Sequence, residues 1–196
     1  AFAEVGKKSK RREAFWYRRT FLVEGPVPEV ARLKIGKAKY GTKVWLNGQL
    51  VGEHLPCFTP ALMDVKPYLK GSGQENEVIV RVGADRESRP TDVPSGWDFE
   101  KYLYIPGIYD SVELILTGEP YIRNVQTAPD IENGRVRVVA ELWSSRERSC
   151  AVSCAVSLKA QPGFTAGSVS RTNVPLAGGQ VTKLDVVIPL EPCRLW

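Results

Sequence analysis

Two groups of side chains in this chain could do chemistry. The first is an aromatic cluster, Trp97, Phe99, Tyr102 and Tyr104, interleaved with Asp98, Glu100 and Lys101. An exposed ring offers a flat apolar face on which a ligand can stack, whereas a buried ring packs the loop that carries it. Both readings stand for these four residues. The second group is Cys57, Cys150, Cys154 and Cys193, with a single histidine, His54. Four scattered cysteines do not make a disulfide scaffold. Cys150 and Cys154 fall in an alternating run with Val152, Val156 and Leu158, and residues four apart on a strand are roughly 13 Å from each other, too far to bridge. A metal site is not indicated, because His54 is remote in sequence from this Cys-x-x-x-Cys and no second cysteine pair accompanies it. The thiols are expected to be small buried apolar groups, and no cofactor is implied.

The elements that position these groups read as short strands. Val44-Trp45-Leu46 and Gln49 to His54 flank Asn47-Gly48, a pair that tolerates the positive φ a type I′ hairpin turn requires. Strands are expected over Ala14 to Glu24, where Phe15, Tyr17, Phe21 and Val23 share a face with Arg19, and over Val30 to Lys37. Further strands are expected at Ala61 to Val65, Glu77 to Val82 and Val112 to Leu116. Gly25-Pro26-Val27-Pro28 and Gly71-Ser72-Gly73 break the pattern, and Val65 to Lys70 could form a helical turn. Beyond Gly118-Glu119-Pro120 a plainer meander follows: Tyr121 to Thr127, Arg135 to Trp143, Cys150 to Ala160, Ser168 to Val174 and Gln180 to Pro189, with a hairpin at Asn133-Gly134. The class is all-β. A domain boundary is expected near residue 118, after a basic tail over residues 1–13. Residues Asp85 to Pro106 lack steady alternation, and so long a loop in a compact domain is usually functional.

The charge balance excludes some function classes. The chain has 196 residues, 43% of them apolar, and a formal charge of +5 from 27 basic and 22 acidic residues. Lys7, Lys8, Lys10, Arg11 and Arg12 supply five of those cations, so the remainder is neutral and the tail reads as solvated. A nucleic-acid binder would spread its cations along a face, so none is expected as a partner. No apolar run approaches the ~18 residues of a membrane-spanning helix. Residue 1 is Ala rather than Met and no charged-then-apolar leader follows, so a processed or engineered end is expected here rather than a natural start, with any export signal expected upstream.

Three segments read together resemble a known family. Phe15-Trp16-Tyr17-Arg18-Arg19-Thr20-Phe21, the Val44 to Gly52 hairpin, and Pro106-Gly107-Ile108-Tyr109-Asp110-Ser111-Val112-Glu113-Leu114 are similar in order and separation to the N-terminal sugar-binding domain of glycoside hydrolase family 2. Asp64-Val65 and Pro67-Tyr68-Leu69 resemble a further segment after the hairpin. Tyr121 to Val125 and the strands that follow resemble the immunoglobulin-like sandwich that comes second in these β-galactosidases, β-glucuronidases and β-mannosidases. Arg194-Leu195-Trp196 resembles the end of that second sandwich.

The resemblance implies a galactose-binding-like, eight-stranded jelly-roll β-sandwich over residues 14–118 and an immunoglobulin-like β-sandwich over 119–196. It also implies a catalytic barrel further along the chain, which would carry the two glutamates of the hydrolysis. On this reading the chain has no catalytic residues, is inactive alone, and docks on the barrel of a parent glycosidase in carbohydrate metabolism, β-galactosidase being the favoured activity. It would also contribute to contacts in a homo-oligomer, and a secreted or periplasmic location is expected. The substrate contacts implied lie in the loop at 92–105: Trp97, Asp98, Glu100, Lys101 and Tyr102. Lys101 stands where the family has a substrate-contacting acid, with Asp98 and Glu100 close by, and Gly96 replaces the Asn of a Pro-Ser-Asn-Trp loop. Asp110 takes the place of the usual Arg in Gly-Ile-Tyr-Arg, so its ion partner is expected to be Arg18, Arg19 or Arg81. The competing expectation is a freestanding secreted carbohydrate-binding or adhesion module built around an exposed aromatic platform. Asn47, Gly48 and His54 are expected to shape the hairpin rather than a site.

Overall fold

A computed structural model describes residues 14–39, 41–83, 107–157 and 163–191. The chain divides into two compact units, Ala1–Thr117 and Gly118–Trp196. All the long elements are strands, and both units are β-sandwiches, as the alternating patterns demand.

In the first unit β1 (Ala14–Leu22), β7 (Glu75–Gly83), β4 (Thr42–Leu46) and β5 (Gln49–His54) form one antiparallel sheet in that order. β6 (Ala61–Asp64), β2 (Val30–Ile35) and β9 (Val112–Thr117) form a second, and β3 (Ala38–Lys39) pairs with β8 (Gly107–Ile108). Period-two alternation decides which residues go inside. In β4 these are Thr42, Val44 and Leu46, and in β7 Asn76, Val78, Val80 and Val82. They meet Ala31, Leu33 and Ile35 of β2 and Ala61 of β6 in one core. Each such valine, leucine or isoleucine contributes about 1.5–3 kcal/mol relative to an exposed position.

The hairpin between β4 and β5 turns through Asn47 (φ 51°) and Gly48 (φ 80°), the two positive φ values expected of a type I′ connection. Val44 faces Gly52 while Trp45 faces Leu50, so Val51 is an extra residue that bends β5. The turn is also bolted to the rest of the unit. Asn47 Nδ2 donates to Tyr68 O at 2.8 Å and to Asn76 Oδ1 at 2.9 Å, and Asn47 Oδ1 accepts from Glu77 N at 3.0 Å. Asn76 is fully buried; its Oδ1 also accepts from Lys70 N, and its Nδ2 donates to Lys70 O and Gln74 O. These bonds tie the hairpin, the 3₁₀ turn Lys66–Tyr68 and the start of β7 into one knot.

The first strand is less covered than its sequence implies. Phe15 and Phe21 are half-buried, but Tyr17 is 39% exposed and Arg19 is exposed as well. β1 is the outermost of four strands while the opposing sheet has three, so only its ends find cover.

In the second unit β10 (Tyr121–Asp130), β11 (Arg135–Trp143) and β14 (Val181–Pro189) form one antiparallel sheet, and β12 (Arg148–Ser157) pairs with β13 (Thr165–Leu176). Val136, Val138, Val186 and Ile188 of the first sheet pack on Cys154, Val156 and Val169 of the second. Ala140 and Leu142 pack with Val174, Leu176, Cys150 and Val152. Gly167 makes a close crossing possible: a Cβ there would lie 2.1 Å from Pro189 O. Cys150 and Cys154 face this core as free thiols but are half-buried rather than buried, because β12 is the edge of a two-stranded sheet. Cys57 is buried in the first unit, and Cys193 lies outside the described residues. The hairpin at Asn133-Gly134 is a four-residue connection, Asp130 facing Arg135, in which Asp130 accepts from Asn133 and from Arg135 Nε at 2.7 Å.

Candidate functional site

Trp97, Asp98, Glu100, Lys101 and Tyr102 all lie outside the described residues, as does the 92–105 loop that holds them. The residues bracketing that stretch are placed. Gly83 N donates to Gly41 O at 3.3 Å, and Gly107 pairs with Lys39. Both ends are therefore anchored to residues 39–41. Gly107 also passes close to β1: a Cβ there would lie 3.0 Å from the Tyr17 hydroxyl oxygen.

Next to this anchor is a cavity of about 200 Å³ lined by Lys37, Lys39, Cys57, Phe58 and Tyr109. Its walls are fixed by backbone bonds. Tyr109 N donates to Lys37 O at 2.9 Å, Ala38 pairs with Ile108, and Gly41 N reaches Leu55 O at 3.4 Å. Lys37 and Lys39 flank buried Ala38 and both line the cavity. His54 Nε2 lies 3.0 Å from Thr59 O and closes the turn that carries Cys57 and Phe58. Hence His54 shapes the rim of this cavity besides ending β5. The sequence did contain the signal, in the Lys-Ala-Lys alternation beside the Gly-Ile-Tyr segment, but spacing alone does not bring Phe58 to Tyr109.

Asp110 departs from its expected role. Its Oδ1 accepts from Ser111 N at 2.8 Å, and its side chain fills the space over Gly36, where a Cβ would come within 2.7 Å of Asp110 Cγ. Among the described residues no ion pair joins it to Arg18, Arg19 or Arg81, and Arg18 pairs with Glu77 instead. A backbone N–H one residue away satisfies the carboxylate without a cation. Glu113, two positions past Ser111, is held below the usual carboxylate range by the Ser111 hydroxyl and Lys34.

The outer face of the four-stranded sheet carries a second aromatic feature. Trp16 is 63% exposed and its ring centroid lies 5.5 Å from that of Trp45, the planes tilted by 30°. In the second unit an open groove of about 920 Å³ runs past Arg148, Ser149 and the 177–180 turn. Nearby, Glu119 is only 6% exposed. Burial pushes its carboxyl up, but bonds from Ser145 Oγ at 2.7 Å and Ser145 N, with Arg148 and Ser144, more than offset this and leave it lowered. This arrangement is structural. No group of three histidine, cysteine or acidic residues among those described could hold a metal ion, and no described helix is long and apolar enough to cross a membrane.

Comparison with known proteins places these units in context. No family model matches the chain. It is 32% identical over 132 residues to a β-galactosidase of Thermoanaerobacter pseudethanolicus, covering 63% of this chain and 16% of that protein. It is 25% identical to a β-glucuronidase of Formosa agariphila over 97% of this chain and 21% of that protein. Its fold superposes on a glycosyl hydrolase family 2 member from Bacteroides cellulosilyticus with a TM-score of 0.71 and 19% identity, over 94% of this chain and 24% of the other. The chain thus spans about a fifth of the length of the curated relatives it matches. The resemblance to glycoside hydrolase family 2 carried by the three sequence segments holds in sequence and in fold.

Proposed function

We propose that this chain is the noncatalytic front of a family 2 glycosidase, β-galactosidase being the favoured parent activity. Its relatives are family 2 glycosidases, which gives the family setting in carbohydrate metabolism. The observation that carries the finer reading is one of proportion: nearly the whole chain matches less than a quarter of a family 2 protein. The retaining mechanism needs two carboxylates about 5–5.5 Å apart on either side of the scissile bond, and the resemblance assigns them to a barrel beyond these units. The role left to the sandwiches is to dock on that barrel, with residues 92–105 walling part of its active-site pocket through Trp97, Asp98, Glu100, Lys101 and Tyr102. Export to the periplasm or medium and contacts in a homo-oligomer belong to the same proposal.

The test is enzymatic. Purified residues 1–196 should not turn over aryl β-galactosides or β-glucuronides, and co-expression with the chain encoded downstream should give activity that is lost when 92–105 is replaced by a Gly/Ser linker. Turnover by the isolated chain at an ordinary enzymatic rate, about 1–10³ s⁻¹, would sink the reading. The exposed Trp16 beside Trp45 favours one alternative, a freestanding carbohydrate-binding or adhesion module. That alternative requires saturable calorimetric binding to a glycan that Trp16→Ala abolishes.

A further inference from the structure

The two sheets of the second unit differ in width. β10, β11 and β14 face only β12 and β13. β13 runs beside β14, since Gly167 passes against Pro189 and Glu191 N donates to Ala166 O at 2.9 Å. β12 packs over β11, with Cys150 and Val152 against Ala140 and Leu142. The strand left without cover is therefore β10. Ile122, Val125 and Thr127 stand opposite buried Leu142, Ala140 and Val138, so they share the face that builds the core. Yet all three are exposed, Ile122 by 58% and Val125 by 50%.

Beside that bare floor runs the free edge of β12. Among the described residues its backbone bonds go to β13 alone. From Ser149 to Ser157 it holds no charge and no proline, two devices that commonly keep an exposed edge from pairing. An edge of unpaired N–H and C=O groups over an apolar floor fits an extended strand.

We propose that a strand of the polypeptide following Trp196 fills this slot, antiparallel to β12, and so completes the second sandwich. The direction of the chain selects this occupant. Glu191 lies at the Ser157 end of β12, because Ala166, to which it bonds, adjoins Thr165, the partner of Ser157. A chain crossing that end enters the slot running opposite to β12. The five residues past Glu191 reach ~17 Å at most, too little for that crossing and a ten-residue edge together. The inference rests on the reading that more of the protein follows these units, but not on that part being a catalytic barrel.

The test compares residues 1–196 with the same chain extended by the ~20 residues encoded next, enough for a strand and its connection. The extension should slow amide hydrogen exchange from Ser149 to Val156 about hundredfold, and alkylation of Cys150 and Cys154 by iodoacetamide about tenfold. Val138 and Ala140, buried within their own sheet, report that both chains are folded. Val125→Glu should leave residues 1–196 nearly unchanged and cancel the protection that the extension gives. Equal exchange in the two chains would overturn the proposal, as would a stop codon directly after Trp196. Protection in residues 1–196 that grows with protein concentration would assign the edge to a second copy, and protection lost on deleting 192–196 would assign it to that tail; either result overturns the proposal. A parent protein that hydrolyses aryl β-galactosides with β12 unprotected would overturn the slot and leave the front-end reading standing. Protection of β12 in a parent without glycosidase activity would do the reverse.

Discussion

Asn47 and Asn76, 29 residues apart, are joined by a 2.9 Å hydrogen bond from Asn47 Nδ2 to Asn76 Oδ1, which couples an exposed hairpin turn to a fully buried amide. Each asparagine is then completed by backbone groups, so the pair satisfies polar atoms that neither the turn nor the start of β7 could satisfy alone.

Asn76→Ala should therefore be severe. It strands Lys70 N, Lys70 O and one Asn47 donor, and about 2–4 kcal/mol should be lost from the first unit in urea unfolding. Asn47→Gly keeps a residue at ease with positive φ but deletes the side-chain bonds, so a smaller loss of about 1–3 kcal/mol is expected. Equal, negligible effects would show that the turn alone holds the hairpin.

Gly36 and Asp110 should behave as a pair. Gly36→Ala places a methyl group 2.7 Å from Asp110 Cγ and 2.8 Å from its Cβ, so adding Asp110→Gly, unlike Asp110→Ala, removes the obstruction. The double variant should be more stable than Gly36→Ala alone, a positive coupling readable in a double-mutant cycle. Additive losses would mean that Asp110 does not occupy the space over Gly36.

Gly167→Ala tests the crossing of β13 over the end of β14. The obstacle is the backbone oxygen of Pro189, which cannot swing aside as a side chain can, so a loss above about 2 kcal/mol is expected in the second unit. Gly25→Ala, where a Cβ meets nothing within 4 Å, should change the stability of the first unit by no more than about 0.5 kcal/mol.

Acid should loosen the second unit. The Glu119 carboxyl is lowered from 4.5 in the folded state, so its contribution is fully present above that value and is lost as pH falls through the lower, folded one. Asp130, held down by Arg135 and Asn133, and Asp185, held down by Arg137, act in the same direction. Thermal unfolding between pH 6 and 3 should show a falling midpoint, with a shallower fall in Glu119→Gln. An unchanged slope would remove Glu119 from the account.

The strands were legible because period-two alternation and turn residues act locally: Asn47-Gly48, the Val78, Val80 and Val82 run, and the limits of β11 all follow from neighbours in sequence. Exposure at the margins was not legible. Tyr17 and Arg19 alternate like core residues, yet their cover depends on how many strands the opposite sheet has, and Cys154 is half-buried because its own strand is the edge of a two-stranded sheet. The cavity was hidden for a different cause. Phe58 and Tyr109 line one cavity only because β3 pairs with β8, a contact between residues 38–39 and 107–108 that has no local signature.

The anchoring of Gly83 and Gly107 to residues 39–41 also bears on how such a sandwich could diversify. The two ends are pinned to the same short stretch, and each is pinned by its own bond. The β1–β7 and β2–β9 pairings use only residues outside the passage between these ends, so an insertion, deletion or exchange within it need alter none of them. Doubling the length of such a passage adds only about 0.6 kcal/mol of closure cost. The sandwich can thus act as a constant frame for a replaceable insert, so that selection can rewrite what the molecule meets at that end while the Asn47–Asn76 knot and the core beneath it stay as they are.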